Sequence, residues 1–125
     1  MPTERAADGT PIVRFDVAIE VSPFDLLRRL GSADPPLLVD ARERAGELTL
    51  EGAVPWPGTA WTPPDDADTV LFDDDGSRAP AVAVELRRQG HERVRALFGG
   101  LELYAFCLDP DIVGTDTYLR RRQPS

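Results

Sequence analysis

The chain has no lysine and no asparagine, and only one cysteine, one histidine and one methionine. A lone Cys107 cannot close an internal disulfide. A lone His91 follows a glycine, reads as a surface loop residue, and finds no second imidazole to share a metal with. No apolar run approaches the ~20 residues that cross a bilayer, so no membrane partner is expected. Residues from Met1 to Gly9 are polar and charged, without the apolar core of a secretory signal, and the expected location is cytoplasmic. Positive charge is scarce as well: 14 arginines stand against 22 carboxylates, for a net charge of −8. That balance disfavours nucleic acid, because phosphate contacts need clustered cations.

What remains is ordinary for one globular domain: 125 residues, 42% hydrophobic and 29% charged. The Arg-only basic set and the 12 prolines fit a GC-rich bacterial genome. Residues 1–13 read as a flexible tail. Phe15, Val17, Ile19 and Val21 alternate with polar or small residues, the period of a strand with one buried face. Ser22-Pro23 opens a helix that places Phe24, Leu27 and Leu30 inward and closes at Gly31. Leu37-Leu38-Val39 and Thr69 to Phe72 are continuous apolar runs, as in parallel strands covered on both faces. Between them, Ala53-Val54-Pro55 is a weak strand candidate, and Trp56 to Asp68 is a Pro- and Asp-rich loop whose tryptophans cover the core edge or form a contact surface.

Ala79 to Gln89 is the clearest helix, with Val82, Ala83 and Leu86 inward and Gly90 ending it. Val94 to Phe98 is a further strand, and Gly99-Gly100 turns into a helix over 101–107 that buries Leu103, Phe106 and an inert Cys107. Residues 109–125 form a C-terminal extension, with Arg120-Arg121-Arg122 solvated. The alternation predicts an α/β domain over 14–108 with a central parallel sheet flanked by helices on both faces.

Within that plan the segment Val70-Leu71-Phe72-Asp73-Asp74-Asp75-Gly76-Ser77-Arg78 carries the most chemistry. A strand ends in three carboxylates, a Gly-Ser-Arg turn follows, and then a helix begins. Ligands of open α/β sheets bind in this crevice, at the carboxyl end of a strand and against a helix N-terminus. The simplest use of Asp73, Asp74 and Asp75 is to cap that helix. Consecutive aspartates rarely converge on one cation, so no metal site is assigned.

Several motifs in order then resemble the rhodanese-like domain. Leu37-Leu38-Val39-Asp40-Ala41-Arg42-Glu43 resembles its strand-Asp-x-Arg-Glu signature. Leu50-Glu51-Gly52-Ala53-Val54-Pro55 resembles its His-Ile-x-Gly-Ala segment, with Thr49 at the usual histidine. Gly90-His91-Glu92-Arg93-Val94 and Leu97-Phe98-Gly99-Gly100-Leu101 resemble its closing pattern, with Phe106 at a frequent Trp. The resemblance lays the family's Cys-x-x-Gly-x-Arg loop on Asp73 to Arg78. Gly76 and Arg78 match; the cysteine position is Asp73. A carboxylate has no sulfur to load, and built-in anions repel a sulfur-bearing one.

The resemblance therefore implies a catalytically inactive rhodanese-like domain that serves as a binding or regulatory module. Asp40, Arg42, Asp73 and Arg78 are its ligand-binding candidates, with the arginines counterions to the aspartates. Its partner would be a protein or a small cation-bearing molecule, and no cofactor is implied. One alternative is sulfur transfer through another thiol. A second comes from Asp73-Asp74-Asp75-Gly76-Ser77, which resembles the first motif of haloacid dehalogenase-like phosphatases, where a first Asp is phosphorylated, a second is the acid/base and Mg²⁺ assists. The absence of lysine and the short remaining chain disfavour it.

Overall fold

Strands covered on both faces need apolar side chains on both, and three runs of this chain supply them. The computed structural model describes residues 4–5, 11–12, 18–44, 46–58 and 61–121. Its elements are β1 (Glu4–Arg5), β2 (Pro11–Ile12), β3 (Glu20–Val21), α1 (Pro23–Leu30), β4 (Leu37–Asp40), β5 (Leu48–Leu50), β6 (Thr69–Phe72), α2 (Ala79–Arg88), β7 (Val94–Leu97), α3 (Gly100–Cys107), α4 (Pro110–Val113) and β8 (Leu119–Arg121). The central sheet has the order β3-β7-β6-β4, with every pairing parallel. Val54 adds a single parallel bridge to Val39 at the β4 edge, so the 53–55 candidate contributes one residue to the sheet.

Each strand feeds both cores because neighbouring side chains point oppositely. Leu38, Val70, Phe72 and Leu97 meet Leu26 of α1 and Leu101 and Tyr104 of α3 on one face. Val39, Leu71 and Ala96 meet Ala79, Ala83 and Leu86 of α2 on the other. This is the α/β arrangement with helices on both faces that the alternation of elements predicts. No described helix is long and apolar enough to cross a membrane.

Local chemistry sets the helix ends. The Ser22 hydroxyl accepts the Asp25 N–H at 3.1 Å, and Pro23 occupies the first turn, where no N–H is needed. Gly31 follows the last turn of α1, as expected. On α1, Leu27 and Leu30 pack partly buried against the core as expected, with Leu26 fully buried beside them, whereas Phe24 is largely exposed. Phe106 on α3 is likewise turned out, at 86% exposure, while Tyr104 takes the core position.

The strand expected over 15–21 is described only at Glu20–Val21, and residues 13–17 lie outside the described residues. Its one-face reading fails where it can be checked. Glu20 and Val21 are both buried, because β3 is covered on both sides.

Beyond Asp109 the chain forms α4 and then β8, which pairs antiparallel with β5, a strand the periodicity did not reveal. Tyr104 donates its hydroxyl proton to the Thr117 carbonyl and so fastens this segment to the core. Arg120 pairs with Asp116 and Glu51, and Arg121 with Glu47, so both lie in β8 and carry surface ion pairs. Arg121 is exposed, as expected, and Arg120 is partly covered. Arg122 lies outside the described residues.

Candidate functional site

The loop from Asp73 to Arg78 sits where β6 hands over to α2. Its backbone is held from below by the first turn of α3. The Asp73 carbonyl accepts the Leu101 N–H at 2.8 Å and the Asp74 carbonyl accepts that of Glu102 at 2.9 Å. These bonds satisfy donors that a helix start leaves open. The approach leaves no room for a side chain. A Cβ on Gly100 (φ +65°) would lie 2.5 Å from the Asp74 carbonyl carbon and the Asp75 nitrogen, and one on Gly76 (φ +84°) would lie 2.9 Å from the Gly99 nitrogen. Gly99-Gly100, expected only as a turn, is therefore the floor of the site.

The three aspartates diverge. Asp73 turns back into the loop and is only 3% exposed. Its Oδ1 accepts the Gly76 N–H at 2.6 Å, and its Oδ2 accepts the N–H groups of Arg78 at 2.6 Å and Ala79 at 2.8 Å. Asp74, whose side chain is 64% exposed, receives the Arg42 Nη1–H at 2.8 Å. Asp75 accepts both the hydroxyl and the N–H of Ser77, which hold its carboxyl below the usual carboxylate range. Among the described residues no group of three or more His, Cys, Asp or Glu side chains is placed to hold a metal ion.

Arg42 is the buried centre of the neighbouring wall, its side chain 5% exposed. Its Nε–H and Nη2–H donate to the two carboxylate oxygens of Asp40, each at 2.8 Å, and Nη2 also reaches the Leu48 carbonyl at 2.9 Å. The guanidinium lies 5.7 Å from the centre of the Phe72 ring, a cation–π separation. The Asp40 carboxylate, joined by that of Asp74, raises the Arg42 pKa. A fork so fully bonded orients the loop and has little capacity left for a ligand. Arg78 behaves differently from the counterion expected. It donates Nε–H to the Ala41 carbonyl and pairs with Glu43 at 3.3 Å, and it bonds none of the three loop aspartates through its guanidinium.

Together these groups line an open cleft of about 520 Å³, walled by Arg42, Glu43 and Arg44 on one side and Asp74, Asp75 and Arg78 on the other. Glu43 closes the strand-end Asp-x-Arg-Glu motif but was not among the ligand-binding candidates, and Arg44 was not singled out from the sequence. Their position one and two residues past the strand-end Asp-x-Arg was the available signal. His91 is half-buried and faces Asp65, with Nδ1 3.8 Å from its carboxylate. Cys107 ends α3, whose other end abuts the loop, so about 10 Å of helix axis separates them. It is half-buried against the core.

A search of solved structures finds the same architecture. A rhodanese-related protein from Thermoplasma volcanium superposes with a TM-score of 0.58 at 17% identity, covering 70% of this chain and 91% of that one. A rhodanese-like domain protein from Staphylococcus aureus gives a TM-score of 0.58 at 17% identity, covering 69% and 90%. This chain has the rhodanese-like fold. A NAD-dependent persulfide reductase from A. fulgidus is similar to it over 69% of this chain but 16% of that protein, with a TM-score of 0.51 and 17% identity. No protein-family model and no curated protein matches the sequence. In this rhodanese-like fold the cleft stands at the carboxyl ends of β4 and β6, the crevice where open parallel sheets take ligands.

Proposed function

We propose that this chain is a rhodanese-like binding or regulatory module that performs no sulfur transfer. The observation that supports this reading is the Asp73 carboxylate, buried in the loop and accepting the N–H groups of Gly76, Arg78 and Ala79. Those donors are turned toward an anion the chain itself provides. An incoming sulfur-bearing anion would meet a carboxylate in its place and two more at the rim. Cys107 stands at the wrong end of α3 to act as a substitute thiol.

The ligand of such a module carries cationic groups, from a protein or a small molecule, because Asp74 and Asp75 present the exposed charge of the loop. The cytoplasm suits a chain whose single cysteine forms no internal disulfide.

The test is a thiosulfate–cyanide assay on the native chain and on Asp73→Cys, with intact mass measured after exposure to the donor. The native chain is expected to turn over no faster than background and to gain no sulfur. Asp73→Cys is expected to gain at least tenfold in rate, since a thiolate accepts the same N–H groups. Turnover or sulfur loading of the native chain, at Cys107 or elsewhere, would overturn the proposal. Magnesium-dependent phosphatase activity lost in Asp73→Asn would favour the phosphatase reading instead.

A further inference from the structure

Both tryptophans of the chain stand on one groove that adjoins the loop cleft at Arg78. Trp56 and Trp61 meet edge to face, with ring centres 6.0 Å apart and planes at 72°, and they wall a cavity of about 340 Å³ against α2. The opposite wall is a single helix stripe, Arg78, Val82, Glu85 and Gln89, at spacings of four, three and four residues. Residues at that spacing share one face, and the stripe runs for about 16 Å along the helix.

A concave, mainly apolar and aromatic cavity with a few polar groups at its edge, near the lower end of the ~300–1,000 Å³ range, is what small-molecule sites look like. Its charges are distributed unequally. Glu85 already faces Arg88 at 4.0 Å and accepts from the Gln89 amide at 3.3 Å. Arg78 closes one end with its Nη2 edge making no hydrogen bond among the described residues, its Nε and Nη1 being taken by Ala41 and Glu43. A guanidinium edge is shaped for a planar carboxylate or sulfonate.

From this geometry we infer that the Trp56–Trp61 groove is a second binding site, for a small planar aromatic acid whose ring lies on the tryptophans and whose anionic group meets Arg78. Only a ligand of one or two rings fits the volume. The site is separate from the proposed loop function, although Arg78 borders both.

The chain's own composition provides the readout. With two tryptophans in 125 residues, a ¹H–¹⁵N spectrum contains two indole N–H signals, and both come from this groove. Naphthalene-2-carboxylate is titrated to 2 mM (about the upper limit of a useful small-ligand affinity), beside naphthalene-2-carboxamide and 2-naphthylmethylammonium. Both indole signals are expected to shift saturably with the acid, and the amide and ammonium compounds are expected to bind at least about fivefold more weakly, as loss of one charged hydrogen-bond partner implies.

Arg78→Gln is expected to bring the acid to the level of the amide. Ala81 is exposed on α2 and lines the groove, so Ala81→Glu is expected to abolish binding without touching the core. A dispersed spectrum establishes that each variant is folded. Absence of a saturable shift, equal or tighter binding of the ammonium compound, or shifts that persist in Ala81→Glu would each overturn the inference. None of these readouts depends on sulfur transfer, so it stands or falls separately from the reading of Asp73.

Discussion

At Asp73 a carboxylate with two acceptor oxygens meets N–H groups on both, and that pairing limits what can replace it. Oδ1 serves Gly76 and Oδ2 serves Arg78 and Ala79, so neither oxygen can become a donor without facing another donor. Asp73→Asn keeps the shape but turns an NH₂ toward one of these groups. It is expected to lower stability by about 2 kcal/mol, the cost of leaving a partly buried donor unsatisfied. Urea denaturation of the two proteins measures this, and a variant as stable as the native chain would show that the loop does not rely on the charge. The position of Asp73 at the end of a buried strand and ahead of a helix was legible from the sequence. Three carboxylates ahead of a helix made a self-filled loop the expectation. Which of them turns inward was not legible, because an aspartate there caps or stays solvated equally well by local rules.

Among the elements, the loop and the start of α3 are built against each other, and the contact rests on a missing methyl group. Gly100→Ala would place its Cβ 2.5 Å from the backbone of Asp74 and Asp75 while holding φ near +65°. Gly90 also has positive φ, +103°, but a Cβ there would meet nothing within 4 Å. The two substitutions therefore separate strain from clash. Gly90→Ala is expected to cost about 1–2 kcal/mol, the left-handed penalty alone, and Gly100→Ala about 3 kcal/mol or more. Thermal denaturation of both variants tests the difference, and equal losses would mean that the loop yields to the methyl.

Element existence was largely readable. Continuous apolar runs marked β4 and β6 because parallel strands bury both faces. The short β5 escaped because Leu48-Thr49-Leu50 has too few residues to show a period, and its partner lies some 70 positions later in β8.

For the molecule as a whole, the sheet carries a core on each face, and the last described segment closes over one of them. That closure depends on charge as well as on the Tyr104 hydroxyl. The Asp116 carboxyl is held at about 2, below its usual 3.8, chiefly by the Arg120 guanidinium and then by the Tyr118 N–H. A depressed carboxyl contributes its stability above the unfolded value and loses it as pH falls through the folded one. Amide protection of β8, corrected for intrinsic exchange, is therefore expected to fall between roughly pH 4 and pH 2. Arg120→Gln is expected to shift that fall upward, toward the ordinary carboxylate range. Protection unchanged by the substitution would show that β5 and Tyr104 hold the strand without the ion pair.

The amino-acid order by itself determined the alternation of strands and helices, the helix start at Ser22-Pro23, and a run of three aspartates set between a strand and a helix. These follow from local rules of periodicity, capping and turn chemistry that act over a few residues. Only the tertiary structure decided that Asp73 fills its own loop, that Gly99-Gly100 forms the floor beneath it, that Arg42 is spent on Asp40 and Asp74, and that both tryptophans share one groove with α2. The bonds of Asp73 and of Arg42 to Asp40 are local, and there packing selected one of several local options. The floor, the Arg42–Asp74 pair and the groove join residues distant in sequence, and no local pattern encodes a contact whose partner is chosen by packing.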